Sequence, residues 1–311
     1  MKTFILAASV AMTATLSPLT AHAEKIGVSM SMFDDNFLTV LRTDMKTHAE
    51  SIKGVQVQFE DAQSDVSKQL NQIQNFIAQK VDAIIVNPVD SDATPKMTKL
   101  AAAAGIPLVY VNISPSDKRL PPKVAFVGSN ETESGTLQMK EVCKLMNGKG
   151  NIVVMMGDLS SQTTRLRTQD IKDVIAKPPC NGIKIVQEQT AAWQRTQAAD
   201  LMTNWLSSGI AFDAVVSNND EMAIGAIQSL KAANKMNKNM VVAGIDATQD
   251  GLASMKAGDL KVTVFQNAAG QANAAIDTAL KLAKGENVEQ TTWIPFEMVT
   301  PANYGKYASK N

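Results

Sequence analysis

Ala83-Ile84-Ile85-Val86-Asn87 is a short, continuous apolar run that stops on an amide, and runs of the same kind recur along the chain. Apolar stretches of this length without polar alternation suit strands covered by helices on both faces, as in a parallel sheet. The companions are Ile26–Ser31, Val55–Glu60, Pro107–Asn112 and Val124–Gly128, then Ile152–Met156, Ile183–Glu188, Ala214–Ser217, Val241–Asp246 and Val262–Gln266. Between them apolar residues fall at helical spacing: Leu38, Leu41, Met45, Ala49 and Ile52 form one stripe, Val66, Leu70, Ile73 and Ile77 another. Asn130-Glu131-Thr132-Glu133 has the spacing of a capping box and opens a third helix. Strand and helix alternate almost without interruption, which predicts an α/β fold of stacked βαβ units with parallel sheets.

The second set of strands is an offset copy of the first. Matching Ile26 to Ile152, Val55 to Ile183, Ala83 to Ala214 and Pro107 to Val241 gives offsets of 126, 128, 131 and 134 positions. Such regular offsets predict two βα units of one plan, each of small-domain size. No low-complexity linker separates them, so the joins run through ordered segments near Val127-Gly128 and Gln266-Asn267.

The beginning of the chain narrows the function classes. Lys2, the apolar Phe4–Met12 and the small-x-small Ala21-His22-Ala23 make the pattern of an export leader cleaved after Ala23, so residues 1–23 are read as a signal peptide. The apolar run is too short to span a bilayer. From Glu24 onward 29 basic residues face 30 acidic ones, which gives no electrostatic reason to expect nucleic acid or an anionic membrane as partner. Cys143 and Cys180 are too few for a disulfide scaffold and lack metal-ligand spacing; in an oxidising compartment one disulfide between them is expected, and no metal or other cofactor.

In parallel sheets ligands bind beyond the carboxyl ends of the strands. Here those ends are polar: Ser31 and Asp35 after the first strand, Asn87 and Asn112 ending the third and fourth, Arg167 after the first strand of the second half, and Asn219, Asp246 and Gln266 closing its later strands. Carboxylates, amides and one guanidinium suit a molecule rich in hydroxyls, each of which can both donate and accept. The planar fork of Arg167 is expected to hold two adjacent ligand oxygens. Phe37 and Trp193 lie among these groups and could offer a ring face to the C–H face of a sugar or cyclitol. Asn and Asp are also ordinary turn and cap residues, and Asp220 is expected to cap the helix of Met222–Ala233. What favours a site is that the fold would send all ten residues to one cleft.

Asn87-Pro88-Val89-Asp90-Ser91-Asp92-Ala93, Asn219-Asp220-Glu221-Met222-Ala223-Ile224-Gly225-Ala226 and Gly244-Ile245-Asp246-Ala247-Thr248 resemble the ribose-type periplasmic sugar-binding proteins of ABC importers. The resemblance covers essentially all of the chain after the leader. It implies two Rossmann-like lobes (24–127 plus 267–295, and 128–266 plus 296–311) joined by a three-stranded hinge and closing on one monosaccharide. It would place Ser31, Asp35, Phe37, Asn87 and Asn112 on one wall, with Arg167, Trp193, Asn219, Asp246 and Gln266 on the other wall and the hinge. Arg195 is a weaker candidate. The chain departs from the ribose pattern with Asp35-Asn36-Phe37-Leu38 and Asn112-Ile113. Ser29–Thr39 and Ala191–Gln197 look more like the inositol and rhizopine binders of the family. The implied protein is a periplasmic monomer that delivers a cyclitol or monosaccharide to an inner-membrane ABC permease, or presents it to a chemoreceptor.

Other classes lack their marks. There is no G-x-S-x-G, no P-loop and no G-x-G-x-x-G after the first strand of either half, and His48 is the one histidine after Ala23, so an enzyme is not expected. A transcription regulator of related fold would open on a helix-turn-helix with a basic bias, and this chain does not.

Overall fold

The computed structural model describes residues 23–117 and 119–311. The leader therefore lies outside the described residues, apart from Ala23. Two parallel sheets organise the chain. The first contains β1 (Glu24–Met30), β2 (Val55–Asp61), β3 (Ala83–Val86), β4 (Leu108–Val111), β5 (Val124–Gly128) and β11 (Thr291–Trp293), in the order β11-β5-β4-β3-β1-β2. The second contains β6 (Lys149–Met156), β7 (Gly182–Thr190), β8 (Ala214–Ser217) and β9 (Val241–Ala243), in the order β7-β6-β8-β9. Central strands such as β3, β4 and β8 are buried along their whole length, whereas the edge strands β2 and β7 carry exposed residues, as helices on both faces of a sheet require.

Helices α1 (Asn36–Ser51), α2 (Val66–Ala78), α3 (Thr94–Ala104) and the late α9 (Ala268–Ala283) accompany the first sheet. The second has α4 (Glu131–Leu145), α5 (Gln162–Ile175), α6 (Arg195–Ser207), α7 (Asp220–Ala232) and α8 (Gln249–Lys256). Each sheet has an apolar core on either side: Leu41, Met45, Val28 and Ile276 on one face of the first, Phe76, Ile84 and Tyr110 on the other. Cys143 on α4 and Cys180 before β7 are disulfide-bonded within the core of the second. No described helix is long and apolar enough to cross a membrane.

The chain passes between the two bodies three times: after β5 into α4, after β10 (Thr263–Phe265) into α9, and between β11 and β12 (Glu297–Val299). Strands β10 and β12 pair antiparallel, and β10 is tied to the second sheet by parallel bridges Ala243–Val262 and Asp246–Phe265. The run Val241–Asp246 is shorter as a strand than expected: the ladder ends at Ala243, Asp246 keeps only an isolated bridge, and the backbone turns at Asp246 (φ 119°) and Ala247 (φ 53°). Strands β11 and β12 were not expected from the sequence, since three-residue runs around Pro295 carry little period-two signal. Asp220 does not cap α7; Asn219 does, accepting from the Met222 N–H at 3.0 Å, while the Asp220 carboxylate turns inward to Thr263 and Thr248.

Candidate functional site

On the first lobe, the ends of β1, β3 and β4 lie side by side and are joined by a chain of amides. Ser31 donates its hydroxyl to Asn87 Oδ1 (2.6 Å) and its backbone N–H to the same atom (3.2 Å). Asn87 Nδ2 donates to Asn112 Oδ1 (3.2 Å) and to the Val111 carbonyl (3.4 Å). Every hydrogen-bonding position of Asn87 is thereby engaged, and the residue is fully buried behind the cleft wall. It is a strut under Ser31 and Asn112, not a wall residue, which corrects its expected place. Asn112 sits just past β4 with φ 68°, held by its amide donating to Gln271 of α9 at 3.3 Å. Asp35 is the N-cap of α1, with Oδ1 accepting from the Leu38 N–H at 2.8 Å, and Phe37 in the first turn is both core residue and cleft wall.

On the second lobe, Arg167 projects from α5. Its Nε donates to Glu131 Oε2 (2.8 Å) and one terminal nitrogen to Glu131 Oε1 (3.1 Å) and Gln266 Oε1 (3.0 Å). The other terminal nitrogen donates to the Asn218 carbonyl (2.7 Å) and lies 3.8 Å from Asp246. The fork expected to clasp two ligand oxygens is occupied by Glu131, so at most about one N–H remains for the cleft. Trp193 follows Ala192 with both residues at positive φ (69° and 50°), and Asn219 Nδ2 donates to the Trp193 carbonyl at 3.2 Å. Its indole lies flat on Gly157, where an added Cβ would fall 2.2 Å from the ring. Asp246 is clasped from outside by Asn311, whose Nδ2 donates to the carbonyls of Asp246 (2.8 Å) and Gln266 (2.9 Å).

Nine of the ten expected residues, all but Asn87, line one cavity between the lobes, of about 670 Å³ including its open mouth. Met32, Leu38, Ser64, Pro88, Val89, Ile113, Asp158, Ser161 and Thr163 complete the wall. Four wall residues that are not glycine, Ser64, Asn112, Trp193 and Asp246, have positive φ, a strained backbone that tends to gather where side chains must be aimed. Buried Ser161 Oγ, Thr163 Oγ1 and Gln266 Nε2 have no protein partner. Ser161 and Thr163 are not strand ends, where a parallel sheet places its ligand groups: Ser161 stands at the N-cap of α5 and Thr163 in its first turn. The uncharged run Ser160-Ser161-Gln162-Thr163-Thr164 was the available signal. Arg195 does not line the cavity; its guanidinium pairs with Glu221 (2.8 Å) and Asp250 (2.6 Å) on the outer rim.

The cleft is rich in carboxylates. Burial raises Asp35 to about 6, with Glu221 adding to the effect and the N–H groups of Leu38 and Phe37 opposing it. Burial likewise pushes Asp246 well above the usual carboxylate range; Arg167 opposes, but Asp220, Asp35 and Glu131 reinforce it. Burial alone would lower Arg167, yet Glu131 and then Asp246 hold it above its ordinary value.

The lobes touch at both rims. On one, Asn36 Nδ2 donates to Glu221 Oε1 at 2.8 Å; on the other, Ser160 Oγ donates to the Val89 carbonyl (3.3 Å), the Gln162 N–H to Ser91 Oγ (3.1 Å), and Arg165 lies 3.6 Å from Asp92.

Two parallel α/β lobes around a buried polar cleft, linked by three crossings of the chain, define the class of two-lobed solute-binding proteins. The periplasmic binding protein domain family matches residues 26–287, and the chain belongs to it. A "Putative rhizopine-binding protein" of Rhizobium meliloti is 61% identical over the full length of both chains. An ABC transporter solute-binding protein of Bacillus halodurans, solved with bound myo-inositol, is 43% identical at a TM-score of 0.88, over 94% of this chain and 99% of that one. The myo-inositol-binding protein of Caulobacter, solved with myo-inositol, is 28% identical at a TM-score of 0.85, over 94% and 97%. These relatives are solute-binding proteins, not enzymes, and the fold is that of type I periplasmic binding proteins.

Proposed function

We propose that this protein is an exported binding protein that captures one neutral cyclic polyol, myo-inositol or a related cyclitol, and hands it to an ABC permease. The observation that carries the reading is the cleft's chemistry: carboxylates and amides from both lobes converge there with buried, unpartnered hydroxyl and amide groups and two aromatic faces. Buried polar groups without partners are costly, and a ring of hydroxyls is a ligand able to serve donors and acceptors together. Phe37 and Trp193 would cover its C–H faces. Ser31, Asp35, Asn112, Asn219, Asp246 and Gln266 would meet its hydroxyls, with Arg167 contributing about one N–H and otherwise orienting Gln266 and the Asn218 carbonyl. The inositol-bound relatives support a cyclitol over an aldose.

In this reading the signal peptide is removed after Ala23 and the protein acts as a monomer in the periplasm. The lobes are 24–127 plus 267–295 and 128–266 plus 296–311. A calorimetric titration of the mature protein with myo-inositol, ribose, galactose, glucose and allose tests it. Micromolar or tighter binding of myo-inositol, about −8 kcal/mol or better, is expected; heat with none of these compounds, alongside tight binding of an amino acid or peptide, refutes the reading.

A further inference from the structure

Helix α5 begins without the cap its sequence offers. Ser161 stands at the N-cap position, yet its hydroxyl accepts none of the free N–H groups of the first turn. The Gln162 N–H is instead taken by Ser91 Oγ, which reaches over from the first lobe at 3.1 Å. A serine at this position normally turns its oxygen back onto the helix. Here the oxygen is left without a partner in a residue that lines the cavity, and Thr163, two residues on, is a second lining residue with an unpartnered hydroxyl. Both side chains are buried, at 2% and 6% exposure, both line the cavity, and neither hydroxyl has a protein partner. Gln266 Nε2, whose companion Oε1 is fixed by Arg167, is unpartnered on the same wall.

We propose that Ser161 and Thr163 are ligand contacts that set which polyol this protein prefers, a role that rests on the polyol reading above. Each hydroxyl can donate to one ligand oxygen and accept from another, so the first turn of α5 reads the presence of hydroxyls on the ring edge facing it. A site built to hydrogen-bond a hydroxyl discriminates strongly against an analogue lacking it, because the buried protein group is then left unpaired. The turn is seated against the first lobe through Ser91, Val89 and Asp92, so the contact is complete only when the lobes are together.

The test uses Thr163→Val, which keeps the shape and removes only the hydroxyl, and Ser161→Ala. Each is titrated calorimetrically with myo-inositol and with its monodeoxy derivatives, and melted without ligand. Myo-inositol should bind each variant about tenfold more weakly than wild type, the loss expected for one buried hydrogen bond. The monodeoxy compound lacking the hydroxyl that Thr163 reads should bind wild type and Thr163→Val alike, so that discrimination between the two ligands collapses. Without ligand, both variants should melt no lower than wild type, because an unpartnered buried hydroxyl does not stabilise the fold. Unchanged myo-inositol affinity in both variants overturns the proposal while leaving the polyol reading intact. A ligand-free melting point several degrees lower also overturns it, since the hydroxyls would then be serving the protein. A wild type that binds none of the compounds refutes the polyol reading, and this inference with it.

Discussion

Arg167 and Asp246 face each other across 3.8 Å, yet their substitution should have different consequences. The Arg167 guanidinium is matched by Glu131 with both side chains buried, so Arg167→Ala strands a carboxylate in the interior. Breaking such a pair costs about 3–5 kcal/mol of stability; the variant should melt markedly lower and also bind more weakly. Asp246 has a surplus of negative neighbours, and Asn has the same shape, so the substitution adds no strain to the backbone at φ 119°. Asp246→Asn should therefore weaken myo-inositol binding by roughly tenfold to hundredfold with the ligand-free melting point at pH 7 unchanged or higher. Calorimetry and thermal melts on the two variants check the contrast; equal melting points would show that Glu131 is not held by Arg167. Asp35 supplies a pH test with two opposite signs. Its folded value of about 6 lies above the ordinary 3.8, so the folded state binds the proton more tightly and Asp35's contribution to stability falls as pH rises from 3.8 through 6. Ligand hydroxyls that donate to the ionised carboxylate should bind less well below about pH 6, the affinity falling up to about tenfold per unit. Asp35→Asn, which preserves the cap of α1, should remove Asp35's share of both profiles, leaving the stability dependence that Asp170 and Asp220, raised by burial to about 7, still contribute. A wild-type affinity that is level between pH 5 and 7.5 would place Asp35 outside the contact set.

At the scale of elements, the sequence disclosed most where burial was complete. Strands such as Val124–Gly128 and Ala214–Ser217 stand at their expected bounds because both faces are covered and the apolar run has no reason to break. Strand ends were legible as wall positions for the same reason: in a parallel sheet the residue after the last apolar one emerges at the carboxyl edge. What could not be read is partnership across sequence. Nothing near Arg167 announces that Glu131, on another helix, takes its fork, nor near Asn87 that Ser31 and Asn112 exhaust its amide. Nothing near Asp246 announces that Asn311 clasps its turn. That clasp gives a prediction: Asn311→Ala frees the carbonyls of Asp246 and Gln266 from a shared donor and should speed hydrogen exchange at the Asp246 and Gln266 amides. Their unchanged protection would show that β10 alone holds the turn. The Cys143–Cys180 bridge acts on a different quantity. It closes a sequence separation of 37 residues far from the cleft wall, so replacing both cysteines with alanine should lower stability by up to about 4 kcal/mol in denaturant titration. Ligand affinity of the refolded protein should stay as it was.

At the scale of the whole molecule, the cleft is split between bodies connected by three crossings, and neither wall can satisfy a ring of hydroxyls by itself. The contacts at the rims are few and partly exposed: one amide to Glu221 on one side, two hydrogen bonds and the Arg165–Asp92 pair on the other. The Arg165–Asp92 pair is exposed and worth about 1 kcal/mol or less, and the hydrogen bonds replace bonds that the open rims make with water, so the rims alone favour the joined arrangement only modestly. A ligand that bonds to both walls adds differential affinity for the joined arrangement, and that difference shifts the population. Saturating myo-inositol should therefore lower the radius of gyration in small-angle scattering, protect amides around Gly128 and Gln266 from hydrogen exchange, and change the fluorescence of Trp193, whose indole forms part of the wall. Scattering that does not change, taken alone, would fit a free protein already joined. Unchanged scattering together with unchanged exchange at both crossings, in a protein that calorimetry shows to be saturated, would refute ligand-driven closure and leave the cleft a preformed pocket.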